Sequence, residues 1–223
     1  MQQIPFGAHS FADNPEPRVP CVLVLDVSGS MEGYPIQELN EGIREYREVL
    51  AADSIASKRV EVAIVTFGDE VRTAMDFTTA AGFQPPNLTA SGMTPMGQAV
   101  NQAIDMIEGR KQVYKTSGIA YYRPWIFLIT DGFPNDENWH LAAMRAIAGD
   151  KGKSFAFFGV GVGEADMATL KQFCVREPLK MKGIKFRELF QWLSSSQKSV
   201  SRSTPGTEVP LQNPAAPQGW ACV

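Results

Sequence analysis

Cys21-Val22-Leu23-Val24-Leu25 is an unbroken apolar run, and Asp26-Val27-Ser28-Gly29-Ser30 follows it directly. A short apolar run ahead of a Gly/Ser turn predicts a buried strand, so a carboxylate and two hydroxyls fall on the loop where that strand ends. Alternate positions of the D-x-S-x-S turn can aim three oxygen side chains at one point, and Gly29 lets the turn tighten. Magnesium takes oxygen ligands in a near-octahedral shell, so the turn suits a hard cation. Two more oxygen-bearing turns lie downstream. They are Ser91-Gly92-Met93-Thr94-Pro95, and Thr130-Asp131-Gly132 directly after the apolar run Trp125-Ile126-Phe127-Leu128-Ile129. The three turns can converge on one ion.

Outward from this stretch, apolar runs alternate with helical patterns, which predicts an α/β chain with a doubly wound, mostly parallel central sheet and helices on both faces. The first strand spans about 20–26. Pro35 sets the first turn of a helix whose apolar positions Ile36, Leu39, Ile43, Tyr46 and Leu50 recur at three- and four-residue steps. Val60 to Phe67 turns at Gly68-Asp69 into Val71 to Phe77, a hairpin that supplies one antiparallel edge strand. Helices are expected from Pro95 to near Gly109 and from Asp136 or Glu137 to Ala148, with a strand over 154–160 between the second of these and three short elements over 166–173, 179–183 and 186–196. Asp69 and Asp76 read as solvated turn residues at the sheet edge.

D-x-S-x-S, a distant Thr in a Gly-containing turn and T-D-G at a strand end, in that order, resemble the metal-ion-dependent adhesion site (MIDAS) of von Willebrand factor A (VWA) domains. The resemblance covers roughly Arg18 to Ser199. Phe127-Leu128-Ile129-Thr130-Asp131-Gly132 and Phe158-Gly159-Val160-Gly161-Val162 look most similar to bacterial intracellular VWA proteins of the tellurite-resistance TerY type. The resemblance implies a Rossmann-like VWA fold, with Ser28, Ser30 and Thr94 as direct ligands of a Mg2+ ion (Mn2+ or Ca2+ as alternatives) and with Asp26 and Asp131 holding metal waters. It also implies a protein partner that offers an Asp or Glu to the ion, in a bacterial stress or tellurite-response complex where a kinase or phosphatase of the same system is a candidate. Met31, Tyr34, Met93, Met96, Phe133 and Pro134 would form an apolar collar around the ion, suited to adaptable protein contacts.

The chain has 223 residues, 44% of them hydrophobic, enough for one sizeable core. Residues 1–17 read as an N-terminal arm, 18–198 as the VWA domain and 199–223 as a Pro-rich tail. A net charge of −3 gives no long-range pull toward nucleic acid or an anionic membrane. No apolar run approaches the ~20 residues of a membrane span, and the first twenty residues lack a secretory pattern, so a cytoplasmic location is expected. Cys21, Cys174 and Cys222 are too scattered for a disulfide framework or a zinc knuckle.

Enzyme chemistry is not expected. Aspartyl-phosphate enzymes carry a second carboxylate where this chain has Ser28, and the two histidines, His9 and His140, fall in the N-terminal arm and on a helix surface. Gly159-Val160-Gly161-Val162-Gly163 lacks the full spacing of a dinucleotide turn. A metal-dependent phosphohydrolase and a structural scaffold with an incidental ion remain the alternatives. Lys111 to Arg123, with Tyr114, Tyr121 and Tyr122, reads as a long loop that either covers a sheet edge or recognises a partner. In the tail, Trp220 is expected to dock into a groove on the domain near the N-terminal arm, or onto a partner.

Overall fold

Eight consecutive buried residues, Val19–Asp26, form β1 at the centre of a seven-stranded sheet in the computed structural model, which describes residues 11, 13–215 and 219–222. His9 and most of the N-terminal arm lie outside the described residues. The chain continues through α1 (Tyr34–Ala51), α2 (Ala56–Arg59), β2 (Val60–Phe67), β3 (Val71–Thr79), α3 (Met96–Thr116), β4 (Trp125–Thr130), α4 (Trp139–Lys151) and β5 (Ala156–Gly161). It closes with α5 (Met167–Lys171), β6 (Leu179–Met181), α6 (Phe186–Ser201) and β7 (Ala221–Cys222). The strand order is β3-β2-β1-β4-β5-β6-β7.

Strands β2, β1, β4, β5 and β6 are parallel. Parallel strands need crossover helices, so both sheet faces are covered and both sets of side chains on β1 are apolar. Cys21, Leu23 and Leu25 face α1 and α6, against Leu39, Ile43, Phe186, Leu189 and Phe190. Val22 and Val24 face α3 and α4, against Val100, Ile104, Ala142 and Ala146. Burying each such aliphatic or aromatic side chain contributes roughly 1.5–3 kcal/mol.

Both edges of the sheet are antiparallel, where one such edge was expected. The second is made by the tail. Ala221 and Cys222 pair with Met181 and Lys180, the Lys182 N–H donates to the Trp220 carbonyl at 2.8 Å, and Trp220 is buried against Trp192 at 5.8 Å. The tail thus docks in cis on β6 and α6. The described arm residues Asn14 and Glu16 instead bond to Lys58 and Arg59 of α2.

Helix α3 runs on past Gly109 to Thr116, which shortens the expected long loop. Tyr114 lies inside the helix, fully buried, and its hydroxyl donates to Glu61 at 2.5 Å. Tyr122 is also buried and bonds to the tail at the Ser203 carbonyl. Tyr114 thus seals the helix end over a buried carboxylate, and the half-buried Tyr121 packs against its ring with centroids 5.3 Å apart. Among the described residues, no helix is long and apolar enough to cross a membrane.

Candidate metal and partner site

Asp26 ends β1 and Thr130 ends β4, neighbouring strands in the middle of the sheet. Chain order reverses here, with β2 and β3 on one side of β1 and β4 to β7 on the other. Connections diverge at such a switch point and leave a crevice at the carboxyl ends of the strands.

Backbone bonds stitch the loops around this crevice together. Val27 N–H donates to Phe67 O at 2.8 Å, Ser91 N–H to Val27 O at 2.8 Å and Gly29 N–H to Gly92 O at 3.1 Å. Gly92 adopts φ +79°, and a Cβ there would lie 2.2 Å from Asp69 Oδ1, so both its conformation and its space demand glycine. Opposite, the Thr94 N–H donates to Asn135 Oδ1 at 3.2 Å and the Asn135 N–H to Thr94 O at 3.1 Å. The Thr94 loop is therefore pinned between the hairpin and the loop after β4.

Six oxygen-bearing side chains meet inside this frame, the five candidate ligands and Thr130, which holds Asp26. Asp26 Oδ1 accepts from the Ser28 N–H at 2.8 Å and Asp26 Oδ2 from Thr130 Oγ1 at 2.6 Å. Ser30 Oγ donates to Asp131 Oδ1 at 2.7 Å and stands 3.1 Å from Ser28 Oγ. Thr94 completes the group across Gly132: a Cβ built on that glycine would lie 3.3 Å from Thr94 Oγ1 and 3.7 Å from Asp26 Oδ2. Asp26 is 1% exposed. Burial pushes its carboxyl up to about 6, the hydrogen bonds from Ser28 and Thr130 oppose this, and the charge of Asp131 adds to the rise.

Among the described residues, no group of three or more His, Cys, Asp or Glu is placed to hold a metal. The donors here are of another kind, two carboxylates and three hydroxyls. An all-oxygen set suits Mg2+, Mn2+ or Ca2+ and disfavours softer ions.

Residues 21–182 match the von Willebrand factor type A domain family. This chain is a VWA protein. VWA domains are typically adhesion or protein-interaction modules, and many bind a divalent cation. A search of curated proteins returns no match. Among solved structures, the chain resembles the vWF domain of the type V pili tip protein Mfa5 from Porphyromonas gingivalis (13% identity, TM-score 0.63, covering 86% of this chain and 99% of that one). It also resembles the pilus adhesin SpaC from Lactobacillus rhamnosus GG in its open conformation (14%, 0.65, 84% and 31%) and proximal thread matrix protein 1 from the mussel byssus (16%, 0.56, 82% and 49%). The chain thus spans about half the length of the mussel protein. At these identities the likeness concerns the fold.

Around the VWA crevice, the expected collar is only half present. Tyr34, Met93 and Phe133 are 60%, 64% and 56% exposed, whereas Met31 and Met96 are each 1% exposed and Pro134 is buried. Met31 sits in the short 3-10 turn Gly29–Met31 and packs into the core with Ile36 and Leu39, and Met96 is the first residue of α3, turned onto the opposite core. Neither methionine can touch a partner without unpacking the domain.

Two acidic residues carry roles that their neighbours in sequence do not reveal. Asp69, expected to be a solvated turn residue, accepts from Ser91 Oγ at 2.6 Å and so holds the Thr94 loop. Asp136, expected at the start of α4, accepts instead from the N–H groups of Gly97 and Gln98 at 3.1 and 3.0 Å and caps α3. The later glycines serve packing: a Cβ at Gly159 would lie 2.7 Å from Cys174 Sγ, and one at Gly161 would lie 2.4 Å from Met167 Sδ. His140 is exposed on α4 and stacks on Trp139.

Proposed function

We propose that this chain is a metal-dependent protein-interaction module and not an enzyme. The observation that carries this is the convergence of Asp26, Ser28, Ser30, Thr94 and Asp131 at the sheet's switch point, inside three loops tied to one another. Ser28, Ser30 and Thr94 would hold the ion directly, and Asp26 and Asp131 would hold its waters. Mg2+, when bound, supplies a positive charge that an anionic oxygen from outside can approach. Asp26, buried and desolvated, would gain a counter-charge, and Ser30 would be free to turn its hydroxyl oxygen from Asp131 to the ion. Tyr34, Met93 and Phe133 form the exposed apolar border that a protein partner would cover. The motif resemblance supports a cytoplasmic setting in a bacterial stress or tellurite-response complex, with a kinase or phosphatase among the candidate partners.

Isothermal titration with Mn2+ tests the site. Wild type should bind one ion weakly, since neutral hydroxyls supply little charge, and both Asp26→Ala and the Ser28→Ala/Ser30→Ala double variant should lose it. Binding by both variants at wild-type strength would show the assignment to be wrong. Magnesium-dependent turnover of p-nitrophenyl phosphate by the wild type would instead favour a phosphohydrolase.

A further inference from the structure

The loops that meet at the crevice carry charge of one sign. Segments 27–33, 68–70, 88–95, 131–138 and 162–166 contain eight carboxylates and no Lys or Arg. The last of these joins the others through the Val162 N–H, which donates to Thr130 O at 2.9 Å.

Half of these carboxylates are occupied in holding loops. Asp69 accepts from Ser91, Asp131 from Ser30, Asp136 from the α3 N–H groups, and Asp166 from the N–H groups of Ala168 and Thr169. The other four, Glu32, Glu70, Glu137 and Glu164, are exposed. Among the described residues, Glu70 has only a 3.9 Å pair with Arg72, and the side chains of Glu32, Glu137 and Glu164 make no hydrogen bond or ion pair. Glu32 lies two residues before Tyr34 in the chain. Glu137 follows Phe133 on the same loop and borders a polar cleft of about 400 Å³ with Gln98, Asn101, Asn135 and Asn138. Basic residues lie outside these segments: Arg72, exposed, stands on β3 two residues after Glu70, Lys182 is exposed on the loop after β6, and Lys180 and Lys185 are half-buried.

Glu32, Glu137 and Glu164, unpaired, and Glu70, paired only loosely with Arg72 at 3.9 Å, leave the crevice loops with an uncompensated negative field that disfavours a segment acidic throughout. We propose that this face selects a basic protein segment: one Asp or Glu for the ion, set among Lys or Arg that meet Glu32, Glu70, Glu137 and Glu164, with an apolar side chain against Tyr34, Met93 and Phe133. This rests on the ion-mediated contact proposed above and adds the charge of the partner. This field acts as a filter as much as an attractor, because an acidic stretch offering several carboxylates is rejected at the rim.

Labelled peptides titrated with the full chain in saturating Mn2+ test this by fluorescence anisotropy. Lys-Lys-Leu-Asp-Lys-Lys should bind about tenfold more tightly than Ser-Ser-Leu-Asp-Ser-Ser at low salt, and Glu-Glu-Leu-Asp-Glu-Glu more weakly than either. High salt should shrink the differences. Glu70→Lys and Glu137→Lys should each reduce the preference several-fold while each variant stays folded and still binds one Mn2+, since neither side chain holds a loop or the ion. Equal affinity for the three peptides, or a preference that survives both Glu→Lys changes, would overturn the charge selection alone. Equal binding of Lys-Lys-Leu-Asn-Lys-Lys and its Asp parent, or binding that persists in EDTA, would overturn the ion-mediated contact and the proposal with it.

Discussion

Asp26 is a carboxylate held by two hydrogen bonds in a place where its charge is poorly solvated, with its carboxyl pushed up to about 6. A group in that condition opposes folding of the ion-free protein at neutral pH and is relieved by a cation. Asp26→Asn should therefore leave the melting temperature in EDTA unchanged or slightly raised, while abolishing the rise that Mn2+ gives the wild type; thermal unfolding with and without the ion reads both. Gly92→Ala should do the reverse. It forces a side chain into a φ of +79° against Asp69, so a loss of about 1–3 kcal/mol is expected in denaturant titrations even without metal, together with weaker Mn2+ binding through the displaced Thr94. The five candidate ligands were legible in the sequence because each sits in a short turn directly after an apolar run or before a helix, where the type of residue and its position together fix its chemistry. Met31, Met96 and Pro134 were misplaced because loop membership does not say which way a side chain turns. That depends on how the adjoining helix docks. Asp69 was missed because its partner Ser91 lies in another loop, and no local pattern links the two.

At the scale of elements, strands and long amphipathic helices could be placed from periodicity, and their ends could not. Lys111 to Thr116 stayed helical because the buried Glu61 lies beneath that turn and takes bonds from both Arg110 and Tyr114, a tertiary demand invisible in the local pattern. The start of α4 shifted to Trp139 because Asp136 was drawn to the neighbouring helix. The tail is the clearest case: a two-residue strand carries almost no sequence signal, and only Trp220 pointed to docking. Trp192 supports it with its ring and with an Nε1–H bond to Gln212 O at 2.8 Å. Trp220→Ala should lower stability by roughly 3 kcal/mol in equilibrium unfolding and expose the β6 edge to faster hydrogen exchange. Where the tail leaves α6, Arg202 bonds to Asp53 at 2.6 Å. Burial raises the Asp53 carboxyl, but the N–H bonds of Ala56 and Ile55 and the bond and charge of Arg202 outweigh it and bring it from 3.8 to about 2. A depressed carboxyl stabilises the fold fully above its unfolded value and loses that effect as pH falls through its folded one. The link should thus be complete above about pH 4 and lost toward pH 2, and Arg202→Gln should flatten part of the acid slope of the melting temperature in that window.

Over the whole molecule, the two ends of the sheet do different work. The carboxyl ends of the strands carry the loops and the candidate ion site, and the amino ends carry a buried charge network. There Glu61, at the start of β2, receives Arg18 Nε at 2.9 Å, Arg110 Nε at 2.8 Å and the Tyr114 hydroxyl, with Phe11 lying over both guanidinium groups. Glu61 pairs with Pro20 while Asp26 pairs with Phe67, six residues farther along both strands, which at ~3.3 Å per residue separates the poles by about 20 Å. Arg18 is 1% exposed, so removing its counter-charge leaves a buried cation with only the Asn14 and Glu16 carbonyls to accept from it. Glu61→Gln should accordingly cost about 3–5 kcal/mol. If the poles are independent, that loss should leave Mn2+ affinity at the wild-type value under conditions where the variant is fully folded. The Asp26→Asn/Glu61→Gln double variant should then show a stability change equal to the sum of the single changes within about 0.5 kcal/mol, the limit for sites with no shared partner. A coupling larger than that, measured by denaturant unfolding in EDTA, would mean that the central strands transmit strain between the charge network and the ion crevice, and that the arm residue Phe11 bears on partner binding from the opposite end of the sheet.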